Sequence, residues 1–129
     1  METARHNYKP LPETLKRQGF LYQRVERQGD WAIYRQVRKD DMRTMAFELV
    51  RIGRHNGFSI AGLTFPPAET YPSSSLWGSH GWTYGSVELA QSAMERKRPE
   101  YAPSPAEVLE DQKILKEMFR ESEGDTESL

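Results

Sequence analysis

The chain has 129 residues, a formal net charge of −1 and no cysteine. This length fits one domain with a single core, and the lack of cysteine excludes disulfides, thiolate nucleophiles and zinc sites with cysteine ligands. The first ten residues contain no apolar run typical of a signal peptide, and no segment reaches the ~20 apolar residues of a membrane span. We therefore expect a cytoplasmic protein that does not enter a membrane.

Positive and negative charges are distributed unevenly along the chain. Residues 16–54 contain ten basic and five acidic residues, whereas residues 104–129 contain eight acidic and three basic residues. A basic body with an acidic tail can bind an anion such as nucleic acid, with the tail competing for the same surface. Alternatively, the arginines form the solvated face of a sheet and lay their aliphatic stems over apolar neighbours.

The chain opens with a polar lead, residues 1–19, in which Pro10 and Pro12 exclude a long helix. Three segments rich in β-branched and aromatic residues follow and predict the strands of an antiparallel meander. Gly29 and Asp30 predict a tight hairpin turn between the first two strands. The predicted strands cover residues 20–28, 31–39 and 44–54, with Phe47 and Leu49 in the core.

The register of the first hairpin decides which side chains face the core, because a slip of one residue reverses every side chain. A two-residue turn would group Phe20, Tyr22, Trp31, Ile33 and Val37 with Arg24 and Arg35. A three-residue turn would instead group Leu21 and Val25 with Trp31, Ile33 and Val37, and leave Phe20, Tyr22 and Tyr34 on the other side. Both registers leave large apolar groups on both faces. We therefore expect a helix on one face and the segment at 69–84 on part of the other.

Two further segments complete the predicted core domain, residues 20–98. Residues 58–65 predict a fourth strand, which Pro66 and Pro67 end. From Ser86 the apolar period becomes helical, and Pro99 is expected to end this helix. One face of the helix carries Val87, Ala90, Met94 and Lys97, and a neighbouring face carries Leu89 and Ala93.

A second helix is predicted at residues 104–122, after a proline-containing hinge at 99–103. Ser104 is a favourable N-cap, Pro105 suits the first helical position and Glu107 can complete a capping box. The helix carries an apolar stripe, and residues 123–129 are expected to be a disordered acidic tail. The predicted fold class is α+β: a three- to four-stranded antiparallel meander packed against one helix, plus a C-terminal amphipathic helix. The stripe comprises Val108, Leu109, Leu115, Met118 and Phe119.

The segment at 69–84, ETYPSSSLWGSHGWTY, is the strongest functional indicator in the sequence. It contains two Trp and two Tyr but has no hydrophobic period. Linkers avoid Trp unless something covers its ring, so this aromatic loop either folds back on the sheet or forms a contact surface. With the basic strands it gives the candidate binding residues Arg35, Arg51, Trp77, His80, Trp82 and Tyr84. The expected partner is a macromolecule, either a protein or a single-stranded nucleic acid.

Two resemblances are based on this segment. WG at 77–78 and GWTY at 81–84, after the strand FELVRI at 47–52, are similar to a set of small uncharacterised proteins of bacteriophages and mobile elements. That resemblance covers roughly residues 20–96 and implies no assigned activity. A weaker one is to the WGR domain of DNA-repair polymerases, although Ser79 stands where its arginine is expected. Together these features predict a non-enzymatic accessory protein of a phage or mobile element.

Two alternative functions remain open from the sequence. Glu69 could orient His80 as a base beside the serine hydroxyls at 73–75, which would make the protein a small enzyme. The C-terminal helix could instead dock on another copy, which would make the chain an assembly or scaffold unit and a homo-oligomer. The spacing of Asp, Glu and His residues predicts no metal site, and no motif predicts a cofactor.

Overall fold

The fold is built around one antiparallel sheet. The computed structural model describes residues 7–101 and 108–122. In chain order the described elements are β1 (Thr14–Arg17), β2 (Phe20–Gln28), β3 (Trp31–Arg38), β4 (Thr44–Arg51), β5 (Gly53–His55), β6 (Phe58–Ile60), β7 (Leu63–Phe65), β8 (Ala68–Thr70), a 3₁₀ turn (Ser74–Leu76), β9 (Gly81–Tyr84), α1 (Val87–Tyr101) and α2 (Gln112–Glu121). The main sheet has the order β1-β2-β3-β4-β9, and two small sheets pair β5 with β8 and β6 with β7.

The expected α+β class is confirmed, with an antiparallel meander packed against a helix and a C-terminal helix. The three predicted meander strands form β2, β3 and β4, and the structure adds one strand at each edge. β9 comes from the aromatic loop, and β1 comes from the predicted polar lead. In β1, exposed Thr14 and Lys16 alternate with buried Leu15 and Arg17. Two periods of alternation are too short to distinguish this strand from a helical turn.

The β2–β3 hairpin combines features of the two registers considered above. Its turn consists of two residues, Gly29 and Asp30, and Gly29 has a φ of 62°, which glycine adopts at little cost. A β-bulge at Val25 then shifts the register, so that Leu21 pairs with Val37. Beyond the bulge the side chains are therefore distributed between the two faces as a three-residue turn would distribute them, although the turn itself has two residues. It also leaves Val25 46% exposed.

Both faces of the main sheet are covered, as expected. One face, the helix side, is covered by α1. The other face, the loop side, is covered by the N-terminal segment (residues 7–13) and by part of the aromatic loop. Leu49 is fully buried on the helix side and Phe47 packs half-buried beside it, so the predicted core strand is confirmed. The helix-side cluster comprises Trp31, Ile33, Leu49, Ala90, Ala93 and Met94. The loop-side cluster comprises Leu11, Leu15, Tyr22, Ala32, Tyr34, Val50, Ile52 and Tyr71.

The predicted fourth strand at 58–65 is instead a hairpin. β6 and β7 pair with each other around a turn at Ala61 and Gly62, whose φ angles are 51° and 81°. Alanine is uncommon in this left-handed region. The single-strand interpretation was wrong because a turn normally has Gly, Asn or Asp at such positions, and only one of the two residues fits that pattern.

The first helix runs past the residue predicted to end it. Pro99 lies inside α1, which continues to Tyr101. A proline removes one N–H bond to the carbonyl four residues earlier, and its ring crowds that carbonyl. α1 nevertheless continues for two residues after Pro99, so the loss of this one bond does not end the helix. The predicted hinge is therefore helical at residues 99–101, and its remaining residues lie outside the described part of the chain.

The second helix begins later than predicted. The Asp111 side chain caps it by accepting from the Lys113 N–H at 2.9 Å. Residues 108–111 are not helical: Val108 forms a β-bridge with Arg54, and the Leu109 N–H donates to the Arg54 carbonyl at 2.7 Å. The predicted capping residues at 104–107 and the tail at 123–129 lie outside the described residues. Of the two described helices, neither has the length and apolar composition needed to cross a membrane.

Candidate functional site

Four of the six predicted binding residues lie on the helix side of the main sheet. In an antiparallel sheet, residues directly opposite each other point to the same face. The pairing of β3 with β4 and of β4 with β9 therefore arranges these side chains in cross-strand rows. The rows are Arg35 with Phe47 and Tyr84; Ile33 with Leu49 and Trp82; and Trp31 with Arg51.

Trp82 occupies the row that α1 covers. Its indole stacks on that of Trp31, with 6.0 Å between ring centroids and 11° between planes. The Lys97 ammonium lies 4.4 Å from the Trp82 ring centroid, a favourable cation–π distance. With a ring and an ammonium over the indole, little π surface remains for stacking on a base. The sequence did not identify Lys97 as a site residue, although its helical spacing from Ala90 and Met94 placed it on the sheet-facing side.

Arg51 holds the turn that contains His80. Its backbone N–H donates to the His80 carbonyl at 2.8 Å, and its Nη1 donates to the Ser79 carbonyl at 3.3 Å. The Ser79 hydroxyl lies 2.8 Å from His80 Nδ1. The Arg51 guanidinium also lies 5.9 Å from the Trp31 ring centroid. These contacts make Arg51 a structural anchor between β4 and the aromatic loop.

Arg35, Phe47 and Tyr84 form the row at the margin of the helix-side cluster, and Phe47 and Tyr84 pack half-buried against that cluster. Arg35 is exposed, and its Nη2 donates to Gln23 Oε1 at 2.6 Å. Tyr84 is half-buried, and its hydroxyl has no hydrogen-bond partner among the described residues. Met45, which a register shift leaves without a partner on β3, is 47% exposed at this end of β4. We call these four residues, Arg35, Met45, Phe47 and Tyr84, the sheet-end patch.

Trp77 lies on the opposite face of the sheet from Trp82. It packs half-buried against the loop-side cluster and stacks on Tyr71 with 6.4 Å between centroids. Its Nε1 donates to Thr83 Oγ1 at 3.0 Å. A Cβ on Gly81 would lie 2.5 Å from the indole, so the ring rests on the backbone of this glycine. The structure therefore does not bring Trp77 and Trp82 together in one binding surface.

The contacts of Glu69 and His80 differ from those of an orienting carboxylate and its base. Arg27 donates two hydrogen bonds to the Glu69 carboxylate, at 2.7 and 2.9 Å, and the Leu11 N–H donates a third at 2.8 Å. The hydrogen bonds from Arg27 lower the pKa of Glu69. Among the predicted serine hydroxyls, Ser75 donates to Glu117 of α2. Glu69 therefore acts as a structural ion-pair partner that ties β8 to β2 and to the N-terminal segment.

A buried polar network lies on the loop side. The Tyr71 hydroxyl donates to Glu48 Oε1 at 2.6 Å, and the Arg17 guanidinium lies 4.5 Å from the Tyr71 ring centroid. Arg17 also forms an ion pair with Glu121 of α2 at 3.0 Å. Burial raises the pKa of Glu48 and holds that of Tyr71 well above its ordinary value. The network fixes α2 to the sheet. The sequence did not reveal it, because its members come from four separate parts of the chain.

The described residues contain no group of three or more His, Asp or Glu side chains that could hold a metal ion. Comparisons with known proteins gave no match: no protein-family model matches the chain, no curated protein matches it, and no solved structure matches it.

Proposed function

We propose that the chain is a non-enzymatic binding protein, an accessory protein of a bacteriophage or mobile element, and that it engages another protein through the sheet-end patch. The observation that supports this proposal is the cross-strand row of Arg35, Phe47 and Tyr84 at the margin of the helix-side cluster, where Arg35 is exposed and the two rings are half-buried. The sequence resemblance of residues 20–96 supports the phage or mobile-element origin.

The composition of the sheet-end patch fits a protein interface. Tyr, Phe, Met and Arg are enriched in interface cores, and Tyr and Arg are frequent hot-spot residues. The patch lies on three paired strands, β3, β4 and β9, so its backbone is rigid before binding. A rigid patch limits the ordering cost that a partner must offset.

The test compares the wild-type protein with the double variant Arg35→Ala/Tyr84→Ala. Each immobilised protein is incubated with a bacterial lysate, retained proteins are identified, and each candidate partner is purified for affinity measurement. We expect the double variant to weaken binding by at least about tenfold, since truncating one hot-spot residue costs on the order of 2 kcal/mol. Arg43→Ala, which removes an exposed arginine in the turn before β4, is the matched control. A partner that binds all three proteins equally would contradict the proposal.

Single-stranded nucleic acid is the second candidate partner, favoured by the cations Arg35, Arg51 and Lys97 on one side of the sheet. Tyr84 is then the candidate stacking residue, because Trp82 is covered. Anisotropy titrations of a labelled oligonucleotide across salt concentrations distinguish the two partners. Binding to phosphates predicts a steep salt dependence, with a slope that falls by about one for each contact removed in Arg35→Ala. Absence of binding at low salt would eliminate this candidate.

A further inference from the structure

A cavity of about 440 Å³ lies on the loop side, away from the sheet-end patch. It is formed where the N-terminal segment, β1, β5, the β6–β7 hairpin, β8 and α2 meet. Its volume falls in the range of about 300–1,000 Å³ that is usual for small-molecule sites. The apolar walls include Leu11, Leu15, Phe58, Phe65 and Phe119.

The aromatic part of the wall is ordered by ring contacts between the hairpin and α2. Phe58 and Phe65 stack with 4.9 Å between centroids, and Phe119 meets Phe65 edge-on at 5.4 Å. Such pairs hold rings in fixed orientations. The cavity therefore has a preformed apolar surface, which suits the hydrocarbon or aromatic body of a ligand.

Three buried polar residues are among those that line this cavity: Arg17, Thr70 and His55. His55 is only 4% exposed. Its Nδ1 accepts a hydrogen bond from the Gly57 N–H at 3.0 Å, and burial lowers its pKa, so the ring is neutral with its proton on Nε2. Among the described residues Nε2 has no hydrogen-bond partner. Nε2 is not among the buried side-chain atoms that lack a partner, so this atom is accessible to solvent, and an acceptor bound in the cavity can receive its hydrogen bond.

The charges around the cavity favour an anion. Arg120 lines it and is exposed, and it forms no salt bridge with a described residue. Glu69, the acidic residue among the described residues of the lining, is neutralised by its ion pair with Arg27. An acceptor that carries negative charge is therefore complementary to both His55 and the rim.

We propose that this cavity binds a small carboxylic acid with an apolar body, such as a medium-chain fatty acid, and that His55 Nε2–H donates a hydrogen bond to its carboxylate. The apolar body lies against the phenylalanine wall, and Arg120 at the rim attracts the charge. This site is independent of the sheet-end patch, so either proposal can fail without the other.

Calorimetric titration of the full chain with octanoate, decanoate and octanol tests the ligand class. We expect one bound acid per chain, about tenfold tighter binding of decanoate than of octanoate because two more methylenes are buried, and at least about tenfold weaker binding of octanol, which lacks the charge. Equal affinity for octanol and octanoate would overturn the carboxylate assignment. No binding of either acid would overturn the proposal.

Three variants test the site. His55→Asn keeps an acceptor near the Gly57 N–H but removes the Nε2 donor, and we expect about tenfold weaker binding of decanoate. His80→Asn, a histidine outside the cavity, should bind decanoate as the wild type does. Ala68→Leu adds bulk to the lining and should abolish binding, which keeps the test decisive if His55→Asn does not fold. Wild-type affinity in either folded His55→Asn or folded Ala68→Leu would overturn the assignment.

Discussion

The two faces of the main sheet are closed in different ways. On the helix side, a single helix lays Ala90 and Ala93 on Ile33 and Leu49 through apolar contacts. On the loop side, several segments distant in sequence meet, bury a polar network and leave a cavity. A periodic apolar face can be closed by one helix, whereas an irregular face needs specific hydrogen bonds and ion pairs to hold its separate segments together.

Truncation of Leu49 tests the tight packing of the helix side. Leu49→Ala should lower the free energy of unfolding by about 2–5 kcal/mol, because α1 cannot relax far into the space left. Chemical denaturation measures this loss. Leu89→Ala, at a position of α1 that is 57% exposed, is the control and should change stability by less than about 0.5 kcal/mol. A loss below about 1 kcal/mol for Leu49→Ala would show that the helix side is loosely packed.

A methyl group added at Gly81 tests the loop side. Gly81→Ala places a Cβ 2.5 Å from the Trp77 ring, so the indole must shift from its present position. We expect a loss of about 1–3 kcal/mol in unfolding free energy and a changed near-UV circular dichroism spectrum. Gly85→Ala, whose added Cβ would meet nothing within 4 Å, is the matched control. Equal stability of the two variants would mean that Trp77 is not held on the Gly81 backbone.

The buried carboxyl of Glu48 gives the smallest expected effect, which depends on pH. Its folded-state pKa is raised above the ordinary value of 4.5 by burial, so its contribution to stability is complete below that value. The contribution is lost as pH rises through the folded-state pKa, because the unfolded chain releases the proton first. Glu48→Gln keeps an acceptor for the Tyr71 hydroxyl and removes this titration.

Urea unfolding at several pH values between about 4 and about 7 measures the effect, since this interval starts near the unfolded-state pKa of a glutamate. The unfolding free energy of Glu48→Gln should decline less than that of the wild type as pH rises. Glu95→Gln, on the exposed side of α1, should follow the wild type. A wild-type pH profile in Glu48→Gln would show that Glu48 ionises as freely in the folded protein as in the unfolded chain.

The sequence predicted the elements whose signal is local and periodic. Leu49 lies in a long alternating strand, and Ala90 and Met94 repeat with a helical period, so the helix side could be derived from the pattern. The bulge at Val25 and the turn at Ala61 could not, because neither residue is one that such conformations favour. In both cases the strand pairing on either side sets a backbone conformation that local preference does not specify.

The candidate sites were likewise predictable only in the part that depends on local sequence. The sequence identified Arg35 and Tyr84, and the strand register brought them into one row. It also grouped Trp77 with Trp82, because chain proximity does not show that the two rings lie on opposite faces. The sequence did not indicate His55 as a binding residue. Its proposed role depends on a cavity whose walls come from segments that are distant in sequence.

The ion pair of Arg17 with Glu121 joins residues that are 104 positions apart, and this separation has a consequence for the order of folding. The β2–β3 and β3–β4 pairings close short loops and can form early, whereas docking of α2 requires closure of nearly the whole chain. During synthesis Arg17 leaves the ribosome well before its partner. We therefore expect the cavity lined by Phe58, Phe65 and Phe119 to be completed last. Until α2 docks, the buried Arg17 guanidinium of β1 lacks its ion-pair partner Glu121.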